Sequence, residues 1–277
     1  MSDKQLVTTH YTHGDLLTSI ENALVNSGKS LHDLNIEDLA NVDEFHIGGR
    51  QATDNILGCL GLSEQDHLLD IGCGLGGACR YVSNRYNNPV TGIDLTEEYV
   101  ESGNVLCSWV KLDQRIKLYT GSALDMPFAS GSFNGAYMLH VGMNIEDKAK
   151  LCAEVYRVLK PGAYFTIYDV MREKTGVISY PVPWADRESM NFLASSEHYA
   201  DALTRAGFEI TLVKNHSQFA LDFFKKEREK NQVKNARSPL GLHTLMNENS
   251  GIKVKNMLQA LREGYIAPVE IKAKKLR

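Results

Sequence analysis

The sequence predicts an α/β fold built on a seven-stranded, mostly parallel sheet. Three observations carry that expectation. Between His67 and Gly77 a short apolar run closes on an acid, Asp70, and enters a turn with glycines at 72, 74, 76 and 77, the pattern of a buried parallel strand turning sharply into a helix. From there to residue 171 strand-like and helix-like stretches alternate, as crossovers between parallel strands require. A second acid, Asp94, closes the next strand-like run about twenty residues beyond the glycines, where such folds bind a ribose.

Composition bounds the function. A chain of 277 residues, 43% hydrophobic and 23% charged, can bury a sizeable core and is that of an ordinary globular protein. A net charge of −4 disfavours a nucleic-acid surface. The most basic run, Lys225 to Lys230, interleaves its acids and reads as a solvated helix face. No stretch approaches a transmembrane span, and polar residues interrupt positions 1–17 where a secretory signal needs an apolar core. The five cysteines, at 59, 73, 79, 107 and 152, form no CxxC pair, so they are expected as reduced thiols of a cytoplasmic protein.

In chain order, Leu16, Leu17, Ile20, Ala23 and Leu24, then Leu31, Leu34, Ile36 and Leu39, recur at helical spacing. They predict a helical cap over residues 1–41 that covers the ligand site, with Tyr11 within reach of it. Gly48 and Gly49 precede a helix expected from Ala52 to Leu60; their N–H groups and the charge of Arg50 would suit an anion. The remaining residues, 42–277, read as one domain. Its predicted helices are 78–86, 97–109, 147–159 and 195–206, and its strands a run ending at Asp70, then 89–95, 116–119, 133–138, 164–170, 207–213 and 265–271. A helical insert at about 217–250 precedes the last strand, with a further helix near 252–263.

The glycine turn satisfies the dinucleotide fingerprint at 72, 74 and 77, so the pattern alone is shared between cofactor classes. Asp70 separates them. A carboxylate two residues before the first glycine repels a pyrophosphate at the helix N-terminus, whereas S-adenosyl-L-methionine (SAM) brings an ammonium, a sulfonium and only one carboxylate. Asp94 suits either. Three phrases, Asp70 to Gly76, Gly121 to Phe128 and Arg157 to Gly162, resemble the class I SAM-dependent methyltransferases, in particular the small-molecule branch that includes sarcosine/dimethylglycine and phosphoethanolamine N-methyltransferases. The resemblance implies a Rossmann-like sheet whose final two strands form a hairpin with the last one antiparallel, a lid role for the insert, SAM as cofactor and S-adenosyl-L-homocysteine as product. It also implies adenine contacts from Ser122 and Ala123; Ser122 stands where the family commonly has an acid.

The expected cofactor-binding residues are Tyr11, Gly49, Asp70, Gly72, Gly74, Asp94, Leu95, Ser122, Ala123 and His140. Residues at carboxyl strand ends face the cleft in open α/β sheets. That places His140 there, as a general base or as a contact to the methionine moiety, and Asp169, which would orient the imidazole, bind an ammonium or cap a loop. No metal site is expected, because His10 and His13 have no companion ligands. The function read from these residues is methyl transfer from SAM to a small metabolite through an amine or a hydroxyl. The rival readings are a nucleotide-dependent oxidoreductase, a transferase of another group, and a SAM-binding regulatory protein. A small-molecule acceptor is the expected partner, nucleic acid and membrane are not, and a homodimer is compatible with the chain.

Overall fold

The computed structural model of the protein describes residues 3–58, 60–233, 240, 241, 244 and 249–276. Cys59, the first two residues of the expected cap and most of the insert between 234 and 248 lie outside them. The chain begins with four helices, α1 (Asp3–Tyr11), α2 (Leu16–Asn26), α3 (Ile36–Asp43) and α4 (Gly49–Leu57). The alternating region follows as β1 (Leu68–Ile71), α5 (Gly77–Tyr86), β2 (Val90–Asp94), α6 (Glu97–Trp109), β3 (Ile116–Thr120), β4 (Phe133–Leu139), α7 (Lys148–Val158) and β5 (Leu159–Arg172). Then come α8 (Ser196–Ala206), β6 (Phe208–Asn215), α9 (Ser217–Val233), α10 (Ser250–Arg262) and β7 (Ile266–Lys275).

The seven strands lie in the order β3-β2-β1-β4-β5-β7-β6. The pairs among β1 to β5 are parallel, and β7 runs antiparallel to both neighbours, as the sequence predicts. Strand order reverses between β1 and β4, and the crevice beyond their carboxyl ends is where open α/β sheets bind ligands. One face of the sheet buries Leu151, Val155 and Val158 of α7 and Leu203 of α8 against Phe165, Ile167 and Val269. The other buries Ile56, Cys79, Val82 and Val100 from α4, α5 and α6 against Leu68, Val90 and Tyr168. Central strands covered on both faces read as near-continuous apolar runs, and β1, Leu-Leu-Asp-Ile, departs from that only at Asp70.

Three boundaries differ from the expectation, each for a local reason. Helix α4 starts at Gly49 rather than Ala52, because Gly48 takes φ +95° and caps it. The predicted stop at Pro161-Gly162 lies inside β5: α7 ends at Val158, Leu159 pairs with Phe133, and the register shifts before Tyr164 pairs with Gly135, a bulge that absorbs a proline with no N–H to give the ladder. Strand β5 also continues to Arg172, held by β7 through Arg172 opposite Ile266. Asp169 therefore sits within a strand rather than at its end.

Candidate functional site

A cavity of about 540 Å³ opens beyond the carboxyl ends of β1, β2 and β4. All ten residues expected to bind the cofactor line it, from Tyr11 on α1 through Gly49, Asp70, Gly72, Gly74, Asp94, Leu95, Ser122 and Ala123 to His140. Asp169 does not.

The glycine turn is shaped by close packing. A Cβ on Gly72, which has φ +70°, would fall 2.3 Å from Val141 Cγ2, so the β1 and β4 loops touch across the crevice. A Cβ on Gly77 would fall 2.4 Å from the Asp43 carbonyl oxygen, so α5 starts directly against the end of α3. The Gly74 N–H donates to Asp94 Oδ2 at 2.9 Å and the Thr96 N–H to Asp94 Oδ1 at 2.8 Å. These bonds orient the carboxylate at the cavity wall. Burial raises the Asp94 pKa above the usual carboxylate range while the Thr96 and Gly74 N–H groups pull the other way.

Asp70 is 2% exposed and accepts the Cys79 thiol at 3.1 Å. Burial pushes its carboxyl up to about 7, and the nearby Asp94 adds to the rise. Two acids sharing one wall without a cation is an arrangement that a positively charged ligand would relieve. Close by, the Tyr99 hydroxyl is buried on the cavity wall with no hydrogen-bond partner among the described residues, a polar group that a ligand hydroxyl could satisfy.

His140 follows β4 in the left-handed region, at φ +55°. Both ring nitrogens are committed to main chain: Nδ1 lies 3.2 Å from the Tyr168 carbonyl, and Nε2 accepts the Ile47 N–H at 3.3 Å. That pattern assigns the proton to Nδ1. Burial and the neighbouring His46, with ring centroids 5.8 Å apart, hold the His140 pKa well below its usual range. Burial likewise takes His46 down to about 4. Asp169 does not meet His140. Its carboxylate is fully buried, accepts the Tyr199 hydroxyl at 2.6 Å and the Val170 N–H at 2.9 Å, and packs against Gly142. Burial takes it up to about 6.

The Gly48-Gly49-Arg50 anion site does not form as expected. Arg50 turns away from the cavity to pair with Glu44 at 2.8 Å and lies over the Tyr81 ring, while the Gly49 N–H donates to the His46 carbonyl. Gly49 keeps its place on the wall.

The sequence names Tyr11 and the Arg157 phrase but not the contacts by which they hold these loops, and it gives no sign of the Arg80–Asp43 pair. Arg80 and Asp43 form a fully buried ion pair through Nε and Nη2, tying α3 to the helix that follows the glycine turn. Arg157 donates to the Phe128 and Met126 carbonyls at 2.6 and 3.0 Å, and Glu154 accepts the Met126 N–H at 2.7 Å. Together they clamp the Ser122–Phe128 turn from α7, a physical reason for the Arg157 phrase quoted above. Tyr11 donates to Asn144 Oδ1 at 3.1 Å, which draws α1 onto the loop after β4.

Residues 69–167 match the family model described as a methyltransferase domain. Among curated proteins, the chain is 35% identical over 100 residues to the probable tocopherol O-methyltransferase, chloroplastic, of Oryza sativa subsp. japonica, covering 36% of this chain and 28% of that one. The matches to the first two curated relatives span 28% and 51% of their lengths. Among solved structures, the fold is shared with phosphoethanolamine N-methyltransferase 2 of Haemonchus contortus, in complex with SAM (TM-score 0.75, 20% identity, 100% of this chain and 60% of that one). It is also shared with geranyl diphosphate C-methyltransferase of Streptomyces coelicolor A3(2), in complex with S-adenosyl-L-homocysteine (TM-score 0.71, 18% identity, 100% and 98%). Among the described residues no helix is long and apolar enough to cross a membrane.

Proposed function

We propose, for a chain whose residues 69–167 form a methyltransferase domain, that it transfers a methyl group from SAM to a small-molecule acceptor. The observation that carries this reading is the pair of acids around the glycine turn, buried Asp70 and part-buried Asp94, on the wall of one cavity. A pyrophosphate placed against Asp70 would meet a carboxylate; an ammonium there would meet its counterion. When bound, SAM would supply an electrophilic methyl group on a sulfonium, with a neutral thioether as the leaving group and the acceptor's proton passing to water.

The chain's own residues bind, orient and enclose. Asp94 holds the ribose hydroxyls from a carboxylate already fixed by two N–H groups. Asp70 pairs the ammonium, Gly74 and Leu95 form the wall between them, and Ser122 and Ala123 face the adenine. Gly49 and Tyr11 close the site from the N-terminal side, so α1 acts as part of its cap and α9, through Phe223 and Phe224, as its lid. His140 serves as a neutral wall rather than a base, since its Nε2 lone pair already receives the Ile47 N–H. Asp169 and Tyr199 hold the Gly142 turn beneath it. Positioning is then the main source of rate, worth about 7–11 kcal/mol in favourable cases.

Calorimetric titration tests the reading directly: S-adenosyl-L-homocysteine is expected to bind and NAD is not. Binding of NAD alone would sink it. Transfer of labelled methyl into a panel of phenols, amines and acids then identifies the acceptor atom.

The Asp70 carboxyl also predicts a pH dependence. Near neutrality the free protein holds this acid partly protonated, whereas an ammonium favours the carboxylate, so binding releases a proton. The affinity for S-adenosyl-L-homocysteine is therefore expected to fall by about tenfold per pH unit below 7 and to level off above it. Asp70→Asn should flatten that profile and bind more weakly above pH 7. A native dissociation constant that stays level between about pH 5.5 and 8 would contradict the assignment.

A further inference from the structure

The same cavity has a second lining of different chemistry, supplied by segments far from the glycine turn. Phe45, Met143, Trp184, Phe223, Phe224 and Met257 come from the α3–α4 connection, the loop after β4, the loop before α8, and α9 and α10. Met143, Trp184 and Met257 belong to one buried apolar cluster, with Phe224 packed against it. The few polar groups here are used internally. The Trp184 indole N–H donates to Asn191 Oδ1 at 2.9 Å and Asn144 Nδ2 donates to the Trp184 carbonyl at 2.8 Å, so the buried indole adds apolar backing to the wall and no free polar group.

Charge has a consistent sign. The ionisable acids on the wall are Asp43, Glu44, Asp70, Asp94, Glu146 and Asp147, and among the described residues no lysine or arginine lines the cavity. Four nearby cations among the described residues already have partners, two of them acids of the wall itself. Arg50 pairs with Glu44, Arg80 with Asp43 and Lys253 with Asp186 at 3.2 Å, while Lys148 donates to the Phe192 and Ile145 carbonyls.

We infer that the acceptor is an apolar, ring-bearing molecule without phosphate or carboxylate, bound between the aromatic residues of α9, the Trp184 loop and Phe45. This rests on the methyltransferase reading and narrows it. A buried anion here would lose its hydration and meet acids rather than a counterion. A flat apolar body instead exchanges water for aromatic faces and methionine side chains, which adapt to its outline. Two of the structural relatives are named for phosphorylated acceptors, so the lining predicts a different acceptor on a shared fold.

The test uses a matched pair of probes, 2-naphthol and 2-naphthyl phosphate, titrated calorimetrically into the full chain saturated with S-adenosyl-L-homocysteine. Naphthol is expected to bind at least ten times more tightly than its phosphate. Equal affinity, preference for the phosphate, or binding of neither overturns the inference while leaving the methyltransferase reading intact. Failure of S-adenosyl-L-homocysteine itself to bind overturns both. Phe224 is only partly buried, so Phe224→Arg can place a cation at the wall while its stem stays packed. That variant is expected to raise naphthyl phosphate affinity at least tenfold and to leave S-adenosyl-L-homocysteine affinity within twofold; an unchanged preference counts against the inference.

Discussion

Arg80→Ala is expected to lower the unfolding free energy by about 3–5 kcal/mol, the usual consequence of leaving one member of a buried ion pair uncompensated. Arg80 is fully buried, and its guanidinium is divided among Asp43, the Gly103 carbonyl at 3.4 Å and the Cys107 sulfur at 3.3 Å. Removing it strands beneath α5 an Asp43 carboxylate whose side chain has no exposed surface. Against a total stability of about 5–15 kcal/mol for a protein of this kind, the loss is large enough to threaten folding at working temperature.

A double variant, Asp43→Leu with Arg80→Met, keeps the outcome interpretable. It removes both charges and is expected to recover most of the loss, because an apolar pair of similar volume avoids the desolvation cost. Urea unfolding followed by circular dichroism measures both; a single variant within about 1 kcal/mol of the native protein would refute the role given to the pair. The defect should also reach the site. Asp43 packs against Gly77 and is followed by Glu44, Phe45, His46 and Ile47, all cavity residues, so the double variant, folded but repacked, is expected to bind S-adenosyl-L-homocysteine more weakly than the native chain.

This pair illustrates which parts of the molecule are legible in the sequence. The cofactor side is legible because it is local: Asp70, the glycines and Asp94 lie within one β-α-β unit, and the geometry that needs them is set by the next few residues. The strand and helix periods are legible for the same reason. Arg80 is a charged residue on a helix, indistinguishable in sequence from a solvated one, and its partner lies 37 positions away. His140 is legible as a cleft residue, but its role depends on Ile47, 93 positions distant, and on a carbonyl of the neighbouring strand. The apolar lining proposed for the acceptor is the least legible part. Phe223 and Met257 lie on helices whose apolar spacing equally describes an ordinary core, and only the fold brings them to Trp184 and Phe45. Asp169 was misplaced because the predicted strand stopped two residues early, and the pairing with β7 that prolongs it is a long-range contact.

Asp94→Ala is expected to reduce affinity for S-adenosyl-L-homocysteine by at least about 100-fold while leaving the fold intact. The carboxylate has two jobs. It accepts the Gly74 and Thr96 N–H groups, which fixes the glycine turn against the start of α6, and under the proposed function its remaining lone pairs would receive the ribose hydroxyls. Each hydrogen bond between a ligand hydroxyl and a charged acceptor is worth about 1.5–3 kcal/mol. A pair of them therefore accounts for about 3–6 kcal/mol, and each 1.4 kcal/mol is a factor of ten in affinity. Truncation also frees two N–H groups of the loop, which water can satisfy at the cavity wall, so the stability cost is expected to stay near 1 kcal/mol. Asp94→Asn separates the two jobs. Its amide oxygen still accepts one loop N–H but presents a neutral NH₂ group where the second oxygen stood, so its affinity should fall between the alanine variant and the native chain. Calorimetry with thermal unfolding as a control reads both effects. If Asp94→Ala binds within about threefold of the native protein, the ribose is held elsewhere and the electrostatic argument for the whole cofactor side fails, because Asp70 alone would not distinguish a nucleoside cation from any other ammonium compound.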